Sequence, residues 1–223
     1  MNVVFLSYRE WANKALARVA QHPKIRRSIQ SHSADELNEL NLEDYDLLIT
    51  LGWSDELGSS VCSRINAIGL HCAELDRYSY GSPIQLQIID RITITKHRIF
   101  PFVWDASSGR AHTHTREYSH ETLLSLHGNI EDIFEQLTTT SILLLNQYLD
   151  DFPNISYKKW PEEMEVRKKR NPIDSKVAKE NLISMSTLDL YNLIRCLGNP
   201  YPNAYIEDDQ GTLYFERVRF IKK

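Results

Sequence analysis

Apolar and polar positions fall into short blocks along the N-terminal part of the chain. Asn2 to Ser7 carries Val3-Val4-Phe5-Leu6, a run that predicts a buried strand. Glu10 to Val19 places Trp11, Ala15, Leu16 and Val19 at helical spacing. A weaker apolar run lies near Ile25 to Ile29. Asp35 to Leu40 reads as a short helix, with Ser33 as N-cap and Glu36 three residues on, as in a capping box. Asp44 to Leu51 holds a second clear buried strand, ending at Gly52-Trp53-Ser54. Glu56 to Ile65 fits a helix, and Ala67 to His71 is a further apolar run. Strands that are apolar throughout, alternating with helices, argue for a parallel sheet covered on both faces. Such sheets bind ligands beyond the C-terminal ends of their strands, and His71 stands at one.

The stretch after His71 is irregular up to Gly81. Pro83 then suits the first turn of a helix over Pro83 to Asp90. Ile92 to Thr95 and His97 to Trp104 read as two strands, Ser107-Ser108-Gly109 as a turn, and Arg110 to Tyr118 as an alternating strand. Ile130 to Leu149 is the longest helical pattern. The character changes after Asp150. Met164 to Pro172 is polar, Leu188 to Leu197 is helical with Ser186 as N-cap, and Tyr205 to Phe220 predicts two strands around Asp208-Asp209-Gln210-Gly211. The expected architecture is α/β: a Rossmann-like, mostly parallel sheet over residues 1–150, with a small α+β extension over residues 151–223.

Composition narrows the function classes. The 223 residues are 42% hydrophobic and 25% charged, which excludes disorder and a disulfide mini-protein. Twenty-six Lys and Arg against 30 Asp and Glu leave a net charge of −4, which argues against nucleic acid as a partner. Three cysteines without a CxxC motif point to a reducing compartment, hence a cytoplasmic protein. No signal-peptide h-region is visible, and runs such as Ile142 to Leu145 fall far short of the ~20 residues of a membrane span.

Common cofactor motifs are missing: no GxGxxG follows the first strand and no GxxxxGK[ST] occurs. His112 and His114 share a strand face, with His120 and His127 nearby, but so loose a spacing reads as a solvated face and no metal is expected. Cys72 beside His71 evokes a Cys–His nucleophile pair, yet neighbours on a strand point to opposite faces. The basic run Arg167 to Arg170 fits a phosphate contact or a solvated face.

One stretch stands above this background. Gly69-Leu70-His71, Leu75 and Gly81-Ser82-Pro83-Ile84-Gln85 resemble the core motif of the folate-dependent formyltransferases. The match is nearest to the branch that formylates nucleotide-linked amino sugars of the pseudaminic type. Val4 to Arg9 with Trp11, Gly52-Trp53-Ser54, the segment Leu124 to Phe134, Lys169-Arg170-Asn171-Pro172 with Ser175, and Ile194-Arg195 with Pro200 to Tyr205 resemble further family segments, in the family's order. The resemblance implies N10-formyltetrahydrofolate as co-substrate, a nucleotide-linked amino sugar as acceptor, and a homodimer. It implies His71 as general base, Asp105 as the carboxylate that orients it, and Trp53, Ser82, Pro83 and Gln85 around the ligands. A base near neutral pH suits the proton lost by an attacking amine, and the developing oxyanion needs a donor or positive charge.

The chain departs from the family pattern at several points. Gly69 stands where Asn is usual, as in some members of the sugar branch. Ungapped counting puts Ser107 on the family's Asp, whereas a hairpin shorter by two residues puts Asp105 there, the reading preferred here. Cys72, Asp76, Ser79 and Tyr80 replace residues that fix the loop's backbone in the family, so a differently shaped or more mobile loop is expected. These departures leave a second reading: a formyltransferase-like binding protein or partner subunit with impaired catalysis.

Overall fold

Strand β1 (Asn2–Leu6), buried from Val3 to Leu6, is one of the two inner strands of the parallel part of the sheet. A computed structural model describes residues 1–54, 57–73, 75–78, 81–105, 110–112, 117–159 and 168–222. After β1 come α1 (Glu10–Val19), β2 (Arg27–Ser31), α2 (Ala34–Asn38), β3 (Leu47–Thr50), α3 (Ser59–Cys62) and β4 (Ala67–His71). Then follow α4 (Leu75–Tyr78), α5 (Pro83–Ile89), β5 (Ile94–Asp105), β6 (Arg110–His112), β7 (Glu117–Tyr118), β8 (Glu121–Ser125) and α6 (Ile130–Asp151). The chain finishes with β9 (Lys158–Lys159), α7 (Asn181–Ser184), α8 (Thr187–Arg195), β10 (Ala204–Glu207) and β11 (Thr212–Phe215). The sheet order is β2-β1-β3-β4-β5-β6, with β8 also on β5. Pairings from β2 through β4 are parallel, and those of β4 with β5 and β5 with β6 are antiparallel. The fold is therefore mixed α/β with a mostly parallel central sheet, as the blocks of apolar residues require.

Two compact units share the chain. One comprises Met1–Cys72, Lys96–Leu123 and Leu137–Glu162; the other comprises Ala73–Thr95, Leu124–Gln136 and Glu163–Lys223. In the first, side-chain alternation splits the sheet into two apolar faces. Val3, Phe5, Leu47, Ile49, Ile68 and Ile99 pack with Ala12, Ala15, Leu16 and Val19 of α1 and with Leu144, Leu145 and Leu149 of α6. Val4, Leu6, Leu48 and Ala67 pack on the other face with Leu37, Leu42, Leu57 and Val61, joined by Trp53 and Phe102. Ala67, Gly69 and His71 alternate onto this second face.

In the second unit, the Ser186 hydroxyl accepts the Asp189 amide at 3.1 Å, so it caps α8 as expected. Arg91 grips Asp189 with two bonds of 2.8 Å. The buried Arg195 donates to the carbonyls of Leu126 (2.6 Å) and Gly128 (2.8 Å) and to Asn192 Oδ1 (2.9 Å). That is the work of the Ile194-Arg195 motif: it holds the Leu126–Gly128 turn.

Some boundaries differ from expectation for local reasons. Of the helix expected over 56–65, the described residues show only α3, which begins after Gly58, a poor helix former. The two strands expected over 92–104 are one, β5, since Lys96 is simply one more position of an alternating strand. The 110–118 run gives β6 and β7, with 113–116 outside the described residues. Ser33 caps α2 by accepting from the Glu36 amide at 3.1 Å, but the Glu36 carboxylate takes the His32 amide (2.6 Å) instead of closing the box on Ser33.

Candidate active site

In the first unit the crossover direction reverses between β1 and β3, which in open α/β sheets marks the ligand crevice at the C-terminal strand ends. There β1 runs into Ser7-Tyr8-Arg9, β3 into Gly52-Trp53-Ser54, and β4 ends at His71. Tyr8 meets Trp53 edge-on at 5.3 Å, and the Arg9 guanidinium lies 4.9 Å over the Tyr8 ring. The Tyr8 hydroxyl is hydrogen-bonded to Ser54 Oγ. Trp53 is half-buried beside the second-face core, and its Nε1–H is buried without a hydrogen-bond acceptor among the described residues.

His71 is half-buried, with a buried Nε2, and is paired in register with Arg98 of β5. Facing partners in an antiparallel pair share a sheet face. Arg98 is only 2% exposed; it donates to Glu121 Oε2 at 2.5 Å and lies 4.6 Å over the Tyr118 ring. Lys96 adds a second cation 3.5 Å from Glu121. Burial pushes the Glu121 carboxyl up, but Arg98 and Lys96 outweigh it and hold the group below the usual carboxylate range. On the opposite face, His97 Nδ1 lies 2.9 Å from Thr140 Oγ1, whose own proton goes to the Leu137 carbonyl. Thr140 therefore accepts, and His97 carries its proton on Nδ1. Burial, reinforced by the nearby His71, drives the His97 pKa down to about 3, so this imidazole is neutral. Burial likewise pushes the Cys72 thiol up to about 12, which removes it as a nucleophile at neutral pH.

Gly69 sits two residues before His71, in register with Thr50 on β3 and Phe100 on β5. A Cβ here would stand 2.6 Å from Phe100 Cζ, 2.9 Å from Phe102 Cε2 and 2.9 Å from Thr50 Oγ1. The Phe100 and Phe102 rings lie 5.2 Å apart. Any side chain at this position requires these neighbours to shift.

No protein-family model matches the chain, and no curated protein sequence does. Solved structures match over its full length. A methionyl-tRNA formyltransferase from Clostridium thermocellum superposes with a TM-score of 0.81 at 21% identity, covering 99% of this chain and 94% of that one. The chain has the formyltransferase fold. A sugar N-formyltransferase from a Shewanella species gives a TM-score of 0.71 at 15% identity, covering 100% and 99%. HypX from Aquifex aeolicus in complex with tetrahydrofolic acid gives 0.67 at 15%, covering 92% of this chain and 35% of that one.

The remaining residues singled out by sequence take their places on this formyltransferase fold. Asp105 is the last residue of β5 and pairs through its backbone with Arg110; Ser107, the alternative, lies outside the described residues. In the second unit, Pro83 opens α5, and Ser82 before it adopts φ 55° without a side-chain cap. Gln85 is 2% exposed, and its Oε1 is buried without a donor among the described residues. Gly81, at φ +102°, lets the Lys169 side chain cross where a Cβ would meet it at 2.9 Å. The loop between His71 and Gly81 contains the helical turn α4, which sequence missed. Its Tyr78 hydroxyl donates to Asp90 at 2.9 Å, and its ring packs with Ala73 and Leu86. Of the histidine group, the side chains of His112 and His114 lie outside the described residues, and His120 pairs with Asp151 at 3.0 Å. No group of three or more metal-ligating side chains occurs among the described residues. Sequence reasoning also missed Thr50, Arg98 and Phe100. The only signal was a Thr closing the otherwise apolar run of β3.

Proposed function

We propose that the protein is an N-formyltransferase that moves the formyl group of N10-formyltetrahydrofolate to the amine of a nucleotide-linked amino sugar. The observation that carries this reading is a strand-end imidazole, His71, at the ligand edge of a formyltransferase fold. The tetrahydrofolate of HypX supports the donor, and the Shewanella enzyme supports the acceptor. The amine attacks the formyl carbon and His71 takes its proton. The carbonyl electron pair moves onto oxygen, then returns as N10 of the folate departs and is protonated. Asp105 orients His71 and stabilises its charged form. Trp53 offers an aromatic wall and an N–H to a ligand, while Ser82, Pro83 and Gln85 shape the start of α5. A homodimer in the cytoplasm completes the reading; the three cysteines are unbridged, as a reducing compartment keeps them.

Two other outcomes have support. Length does not disfavour a tRNA acceptor, because the Clostridium chain is of matching extent; the net charge of −4 does. The closed position at Gly69 favours a folate- or nucleotide-sugar-binding protein without turnover.

Titration with a stable N10-formyl folate analogue, followed by transfer assays on amino-sugar nucleotides and methionyl-tRNA, separates the three. The expected result is micromolar binding, transfer to an amino sugar, and loss of transfer in His71→Asn with the fold intact. Normal turnover by that variant overturns the role of His71. Binding without transfer to any acceptor selects the binding protein.

A further inference from the structure

Thr50 ends β3 at the ligand edge and is 3% exposed. Its hydroxyl makes no hydrogen bond among the described residues, yet it is not one of the fully buried unpaired side-chain atoms there, so it keeps some contact with solvent. A hydroxyl that still reaches solvent at a strand end is free to donate to a ligand bound there. This one lies on the sheet face that carries His71, in register with Gly69, and 2.9 Å from where a Cβ on residue 69 would begin. From β5, Phe100 closes the same space and offers only C–H groups.

We propose that Thr50 is the hydrogen-bond donor to the formyl oxygen, supplying from β3 what Gly69, without a side chain, does not supply from β4. The proposal rests on the formyl-transfer reading above. In the ground state the Thr50 O–H points at the formyl carbonyl. As the amine nitrogen bonds to the formyl carbon, the carbonyl electron pair shifts to oxygen and the hydrogen bond strengthens. When the pair returns, the C–N10 bond breaks and the bond to Thr50 relaxes. The amine proton goes to His71, so Thr50 keeps its own throughout.

The test compares wild type with Thr50→Val, nearly isosteric but without a donor, and Thr50→Ser, which keeps the hydroxyl. Kinetics of transfer are read beside the infrared carbonyl band of a bound N10-formyl folate analogue carrying 13C in its formyl group. Thr50→Val is expected to lower kcat about 100-fold with KM little changed, as for other single oxyanion donors. Its labelled carbonyl band is expected to move to higher frequency than in wild type, and Thr50→Ser to retain the wild-type band and most of the rate. An unchanged band and rate in Thr50→Val, with wild type turning over, overturns the role of Thr50 and leaves formyl transfer standing. A folded wild type that neither binds the analogue nor transfers formyl overturns both.

Discussion

A single hydrogen at position 69 decides what its neighbours do. Phe100 Cζ would be 2.6 Å from any Cβ there, and it belongs to a ring held against Phe102. Gly69→Ala is therefore expected to cost about 1–3 kcal/mol in urea unfolding, as overpacked cores do. His97 gives a second prediction. Its pKa is about 3 when folded, against an ordinary value of 6.5. Between those values the unfolded chain holds the extra proton, so His97 costs nothing above pH 6.5 and lowers stability as pH falls through the window. The slope is about 1.4 kcal/mol per pH unit. Wild type should lose stability more steeply than His97→Leu between pH 6 and pH 4 in urea titrations. His71 was legible at this scale because a polar residue at the end of an apolar strand stands out. The closure at Gly69 was not, because it depends on register with β3 and β5, and sequence does not print register.

Among the elements, α5 carries a conflict that sequence did not reveal. Pro83 at its first position was legible. The left-handed backbone of Ser82 was not, since nothing marks a serine for φ 55°. With no cap bond to lose, Ser82→Gly should stabilise the protein by about 1 kcal/mol, read as a raised Tm. By contrast Ser186→Ala removes a real cap from α8 and should cost about 1 kcal/mol in the same measurement. The loop after His71 shows the limit of local reading. Losing prolines and a glycine predicted mobility or altered shape. Part of the answer is the turn α4, fixed by Tyr78 on Asp90, a partner twelve residues away.

For the whole molecule, the expected cut near residue 150 follows the change in composition, whereas the compact units interleave along the chain. Arg91 and Asp189 belong to one unit, as do Arg195 and the Leu126–Gly128 turn. A fragment of residues 151–223 leaves Asp189 and Arg195 without these partners. It should therefore show the narrow amide dispersion of an unfolded chain in an NMR spectrum, while the full chain disperses. Sheet class, the longer helices α1, α6 and α8 and the C-terminal hairpin were legible because periodicity is a local property; the short turns α4 and α7 carry too few residues to show it. The interleaving was not, because it is written in contacts between segments far apart in sequence.

The closure at position 69 also constrains the protein's history. A side chain at 69 forces Phe100, and to a lesser degree Phe102 and Thr50, to move, and a smaller residue at 100 with glycine at 69 leaves a hole in the sheet face. Each single step between the two states is penalised, so the pair forms an epistatic barrier. Descendants and ancestors of this chain should change residues 69 and 100 together or keep both.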